Sequence, residues 1–426
     1  MTFPIYQYTL RNGLRVVLAP DRMVPVVGIS VVYDVGFRSE AENNAGFAHL
    51  FEHLMFEGSA NVRKLEHFRL VQGAGGTANG VTHLDYTEFF ELLPANGLEL
   101  GLFLEADRMR SPVITAAEIA NQVDVIAAEI RSKVLSRPYG GFPAAKVPPV
   151  LFSSFHNSHD GYGGIGELRA ASVAAVARFF RTYYSPRNAV MAVAGDFDCS
   201  AAVRLIDRYF AGIAATPAPR RPDFTEPPLP ADRHTSYTDP LAPLPAFAVA
   251  WRVPDPITDR AAYLPYLVLN AALTDGAFSR LAGRLVAGQR IATDVAGRLG
   301  AGNEPFTARN PSCLILWGLL LPQASADAAL GAIDAELCRI AEDGLAPDEL
   351  DRVRARLTAT LLADLDRVQD RVRRLAVTTC LHGDARAAVM LAAGIGEVTS
   401  DQVAAVAASM RASSRAVVEV IPGGGP

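Results

Sequence analysis

Apolar residues recur along the chain at two spacings, every second position in short runs and every three to four in longer ones. Leu14–Leu18, after the Asn12-Gly13 turn, and Val26–Val35, closed by Gly36, are β-rich, and the first predicts a hairpin. Ala45–Glu57 carries apolar residues at helical spacing and stops at Gly58. The glycine cluster Gly73-Ala74-Gly75-Gly76 precedes Thr77–His83, and Tyr86–Leu93 alternates as a strand does. Leu98–Arg110 predicts a helix closed by Ser111-Pro112. Thr115-Ala116-Ala117-Glu118 fits a capping box, and Ile119, Val123, Ile126 and Ile130 continue that helix on one stripe until Arg137-Pro138-Tyr139-Gly140-Gly141. Ala174–Tyr184 predicts another helix, and Asn188–Ala194 a strand ending at Gly195-Asp196.

Residues Ala215–Pro230 hold six prolines and lose this periodicity, which is a linker composition. The pattern then restarts with a strand at Ala246–Val253, helices near Ala261–Ala272 and Phe278–Ala287, a strand near Cys313–Leu321 and long helical stretches. Ser185-Pro186-Arg187-Asn188-Ala189-Val190-Met191-Ala192-Val193 is echoed, 413 − 185 = 228 residues later, by Ser413-Ser414-Arg415-Ala416-Val417-Val418-Glu419-Val420-Ile421. An echo at about half the chain length predicts two domains of similar α+β design. They are expected at 1–213 and 233–426, joined by a Pro-rich linker at 214–232.

Composition narrows the function. The 426 residues are half hydrophobic and one-fifth charged, which is globular, and the net charge of −5 lacks the basic excess that draws a phosphate backbone. Nucleic acid is therefore not an expected partner. The longest apolar runs, Leu314–Leu321 and Ala387–Ile395, fall far short of the roughly 20 residues of a membrane span, so no membrane is expected either. Met1–Tyr6 shows no basic segment leading into an apolar one. Cys199, Cys313, Cys338 and Cys380 are widely spaced, as reduced thiols are. The expected location is the cytoplasm, with the periplasm left open.

The informative chemistry is His49-Leu50-Phe51-Glu52-His53. On a helix, residues four apart project from one face, so His49 and His53 converge on a single ion. Imidazole is a preferred zinc ligand, and catalytic zinc keeps three protein ligands. Glu52, three residues past His49, is placed to take a proton from water acidified by the metal. The flanking residues Ala48, Leu50, Phe51, Leu54, Met55 and Phe56 are apolar, and two histidines with a carboxylate in such a helix are costly to bury without a metal or another partner. Glu129, 76 residues after His53 on the capped helix, is the candidate third ligand.

The segment Gly46–Gly58 resembles the inverted zinc-protease helix of the pitrilysin/insulysin family, in the branch of the mitochondrial processing peptidase and its short bacterial relatives. Asn12-Gly13-Leu14, Gly75–Thr82, Asp85-Tyr86-Thr87 and Gly195-Asp196 stand where that family has similar signatures. The resemblance implies two similar domains, each a mixed or antiparallel sheet packed with helices, enclosing a cavity. It implies one zinc ion per chain on His49, His53 and Glu129, Glu52 as general base, and peptide bound along Ala78, Asn79, Gly80, Val81 and Thr82 by strand addition.

Two departures qualify that picture. Where the family usually has a second Glu, seven residues before the third ligand, this chain has Gln122, which can hydrogen-bond to a metal ligand but adds no charge. The Arg and Tyr that many members use to hold substrate would fall near Val286 and Thr293, and neither residue type is there. The expected function is a zinc metalloendopeptidase acting on peptides or small unfolded polypeptides. Its expected partner is a homologous subunit in a heterodimer, or a second copy in a homodimer. The alternative is a non-catalytic assembly subunit of the same family. His67, His83, His156, His159, His234 and His382 are expected to be surface or locally hydrogen-bonded residues.

Overall fold

The computed structural model describes residues 3–301 and 304–423. The expected hairpin forms from β1 (Tyr6–Thr9) and β2 (Arg15–Pro20), and the long apolar run becomes β3 (Val26–Tyr33). With β4 (Thr77–Thr82), β5 (Thr87–Pro94) and β6 (Ala189–Gly195) they make a six-stranded sheet in the order β1-β2-β6-β3-β5-β4. Only β2 and β6 run parallel; the other neighbours are antiparallel. The second sheet holds β7 (Arg233–Asp239), β8 (Ala246–Val253), β9 (Ala292–Leu299), β10 (Ser312–Leu320) and β11 (Ala416–Pro422), ordered β7-β11-β8-β10-β9. Here β7 and β11 are the parallel pair and the rest antiparallel. The order 2-6-3-5-4 is thus repeated as 7-11-8-10-9, sense for sense. The echoed segments fall on β6 and β11, the same strand of each sheet.

Four helices of the first half matter for the site: α1 (Phe47–Leu54), α2 (Glu66–Gly73), α3 (Leu98–Arg110) and α4 (Ala116–Ile130). At the start of α4 only half of the capping box forms. Thr115 Oγ1 accepts from the Glu118 N–H at 3.2 Å, while the Glu118 carboxylate is taken by Lys64. Residues 131–135 continue α4 as a wide turn, and the helix expected at Phe278–Ala287 is replaced over Ala282–Gly288 by the same kind of turn.

The protein has two compact units. One comprises residues 1–128, 160–222 and 362–390, and the other 129–159, 223–361 and 391–426. The sheets follow chain order; the helices do not. The helix Val368–His382, from the second half of the sequence, packs on β3, β5 and β6 of the six-stranded sheet. This explains why β5 is buried along nearly its whole length rather than on alternate residues. In the second unit, Val147, Leu151 and Phe152, from the first half, pack on Ala248, Ala250, Ile315 and Val418 of the five-stranded sheet. Among the described residues no helix is long and apolar enough to cross a membrane.

Candidate metal centre

Helix α1 is short and strongly amphipathic. Phe47, Leu50, Phe51 and Leu54 are buried, with Phe51 stacked on Phe179 and packed 5.0 Å from Tyr184. Burial pushes the Tyr184 phenol well above its ordinary value. With that face fixed, His49 and His53 project together. Their Nε2 atoms stand 3.3 Å apart. Two ligands on an ion with bonds of about 2.0–2.1 Å and tetrahedral geometry are separated by about 3.3–3.4 Å. The Glu129 carboxylate, in the last turn of α4, completes a group whose ligand atoms all lie within 4.8 Å of one another. The sequence-predicted donors are therefore brought together.

Two imidazoles and a carboxylate are the donor types zinc takes. His53 Nδ1 lies 3.2 Å from Gln122 Oε1, a contact that suits the tautomer protonated on Nδ1, the one that leaves the Nε2 lone pair for a metal. Gln122 is buried one helical face from Glu129, and it supplies this contact without charge. Glu129 also receives Lys133 Nζ at 2.8 Å, an i,i+4 pair. The donor set fits a zinc ion.

The edge strand lies against this helix. β4 ends the six-stranded sheet and pairs, among the described residues, only with β5. Gly80 sits where it crosses α1: a Cβ there would come 3.1 Å from Glu52 Cγ and 3.0 Å from Phe56 Cε2. A Cβ there would need Glu52, Phe56 and Phe89, whose ring lies 3.1 Å away, to give by a few tenths of an ångström, and a larger side chain would need more. Thr82 Oγ1 adds a long contact to the Ala48 carbonyl at 3.4 Å. Ala78, Asn79, Gly80, Val81 and Thr82 thus run beside Glu52 with one strand edge unpaired in the sheet.

One positioning group has no signal in the sequence. Glu40, fully buried, accepts from the Gly46 N–H at 2.7 Å and the Ala48 N–H at 2.6 Å, so its carboxylate caps the N-terminus of α1. Its distance from the Ser/Thr/Asp/Asn capping pattern hides it. Of the other histidines, His67 is buried, 2.6 Å from Glu91 Oε1. Burial pushes the His67 imidazole down to about 3 and the Glu91 carboxyl up to about 7, so burial disfavours the charged form of each. His83 stacks on Tyr86 at 4.4 Å and His159 on Phe155 at 4.1 Å.

Comparison with known proteins bears on this geometry. The family description "Insulinase (Peptidase family M16)" matches residues 15–137, and "Peptidase M16 inactive domain" matches residues 170–357. The chain belongs to peptidase family M16. The M16 chain is 29% identical over 211 residues to the zinc protease PqqE of Helicobacter pylori, covering 47% of this chain and 46% of that one. It is 25% identical over 271 residues to a probable mitochondrial-processing peptidase subunit beta of Arabidopsis thaliana, covering 58% and 48%. It thus spans about half the length of these curated relatives. The crystal structure of a protease from Helicobacter pylori has the same fold, with a TM-score of 0.89 at 22% identity over 99% of this chain and all of that one.

Proposed function

We propose that this M16 chain is a zinc metalloendopeptidase that hydrolyses extended peptides or small unfolded polypeptides. The observation that carries the reading is the His49–His53 pair, its Nε2 atoms 3.3 Å apart with the Glu129 carboxylate within 4.8 Å. His49, His53 and Glu129 would hold one zinc ion, which supplies Lewis acidity to water and to the scissile carbonyl. Gln122 fixes the His53 ring. The free edge of β4 pairs with the peptide backbone, which needs no particular side chains and suits substrates without fixed structure. Glu52, next to that edge, takes the proton from the attacking water and returns it to the departing amine, so one carboxylate serves as base and then acid.

Glu52→Gln is expected to retain zinc, measured by metal analysis, and to lose about 10²–10⁴-fold in kcat on a fluorogenic peptide. Equal cleavage by wild type and variant would remove Glu52 from the mechanism. A homologous subunit as partner is supported by the absence of the family's Arg and Tyr near Val286 and Thr293. Co-purification from the native host followed by mass spectrometry tests it: recovery of a second M16 chain is expected, and a lone homodimer would refute the heterodimer.

A second reading, a non-catalytic assembly subunit, draws on the match of residues 170–357 to an inactive domain and on Gln122 in place of a glutamate. It requires wild-type protein that holds no zinc; near-stoichiometric zinc lost in His49→Ala speaks for the enzyme.

A further inference from the structure

The helices that carry the donor set are far apart in sequence, so their separation has to be fixed by contacts between them. Gln122 against His53 is one tie. A second lies at the other end of the same helix face. Lys64 Nζ donates to Glu118 Oε2 at 2.7 Å and stands 2.6 Å from Glu57 Oε2. Glu57 follows α1, four residues beyond His53. Glu118 is in the first turn of α4, four residues before Gln122, hence on the same face.

The lysine is itself delivered on a fastened loop. Asp107 of α3, buried, accepts from Ser59 Oγ at 2.6 Å, from the Asn61 N–H at 2.9 Å and from Asn61 Nδ2 at 2.7 Å. The ammonium therefore reaches two carboxylates, one just past the end of α1 and one in the first turn of α4, without a free loop behind it.

Resting on the metallopeptidase reading above, we infer that Lys64 is a positioning residue: by bridging Glu57 and Glu118 it sets the spacing of α1 and α4 at which Glu129 meets His49 and His53. An exposed ion pair alone contributes little, and Lys64 is 44% exposed. The weight comes from Glu57, only 5% exposed, whose carboxyl burial holds above its ordinary value and which has Glu118 as a neighbour. Without the ammonium the two carboxyls face each other alone, and keeping them together at neutral pH requires one of them to hold a proton, a cost that parting the two segments avoids.

The test compares zinc affinity, by competition with a chromogenic chelator, in the full chain and in Lys64→Met, Lys64→Arg and the double variant Lys64→Met/Glu118→Gln, with circular dichroism to check folding. Lys64→Met is expected to weaken zinc about tenfold, the low end of what losing a ligand's own hydrogen-bond partner costs, because Lys64 acts one step further out. Lys64→Arg restores most of the affinity, and Glu118→Gln recovers part of it in the Met background by removing the repulsion. A merely structural lysine lowers the melting temperature without this sign reversal. Folded Lys64→Met with zinc affinity within about twofold of wild type, or a double variant weaker than the single one, overturns the inference. Should Lys64→Met fail to fold, Glu118→Gln in the wild-type background reads the same tie: weaker zinc supports it and unchanged zinc overturns it. Wild-type protein without zinc affinity would overturn the metallopeptidase reading as well, a result distinct from zinc held equally by wild type and variant.

Discussion

Helix α1 and the helix Arg260–Thr274 occupy the same place in two sheets of the same strand order, one after β3 and the other after β8. Each crosses the edge strand of its sheet at a glycine. In the first unit a Cβ on Gly80 would meet Glu52 Cγ; in the second, a Cβ on Gly297 would meet Asn270 Oδ1 at 2.3 Å and Thr274 Oγ1 at 2.7 Å. The frame is shared and the contents differ. Where α1 offers His49, Glu52 and His53, its counterpart packs Tyr263, Leu264, Leu267, Val268, Leu269 and Leu273 into the core and keeps only Asn270 and Thr274 as buried polar groups. The arrangement of sheet and helix therefore does not require a metal, and the chemistry resides in a few side chains placed on one copy of it.

The largest expected effect separates the two copies outright. Glu129→Ala should abolish near-stoichiometric zinc, whereas Asn270→Ala should leave zinc unchanged in the same metal analysis. Zinc loss in the second variant would mean that the copies are not independent in this respect. Next come the glycines. Gly80→Val should lower kcat about 100-fold by displacing Glu52, while Gly297→Ala should lower stability and leave peptide cleavage as it was; steady-state kinetics of both variants checks this. Gln122→Ala should weaken zinc about 10–100-fold in the chelator assay, because His53 loses the acceptor that fixes its tautomer.

The smallest effect concerns pH. Glu91 binds its proton more tightly folded than unfolded, so its contribution to stability is complete below the ordinary glutamate value and is lost as pH rises towards about 7. His67, pushed down to about 3, gives the opposite slope up to its ordinary value of 6.5, so the Glu91 contribution is read as the difference between Glu91→Gln and wild type: the variant's melting temperature should gain on that of wild type by a few degrees between pH 5 and 8, and parallel profiles would contradict it.

His49, Glu52 and His53 are legible because a single helix sets their geometry, and helical spacing can be read from one strand of text. Glu129 is not: its meeting with the imidazoles depends on where α4 lands, and only the family resemblance points to it. Gln122 is picked out by the same resemblance, yet its contact with His53 Nδ1 is a fact of packing. Glu40 is hidden because it reaches across six residues to Gly46 and eight to Ala48, outside the short capping patterns. His67 looks like a surface residue until β5 brings Glu91 beneath it. The strands β2, β3, β6 and β8 are legible as continuous apolar runs, whereas β7 and β9, polar and largely exposed or half-buried, carry no such signal. The destination of the helix Val368–His382 is not, because its pattern says that one face is buried without saying on which sheet.

That destination has a consequence for any attempt to divide the protein. Arg371 binds Asp21 at 2.6 Å, Arg373 binds Glu88 at 2.9 Å, and Gln7 donates to Asp384 at 2.9 Å, so the six-stranded sheet is covered by a piece of chain made some 280–380 residues later. A ribosome that has released the first 222 residues has produced all six strands of that sheet but not the helix that covers it. The core of that unit waits for residues 362–390, and a clip in the proline-rich stretch would leave each unit built from both fragments.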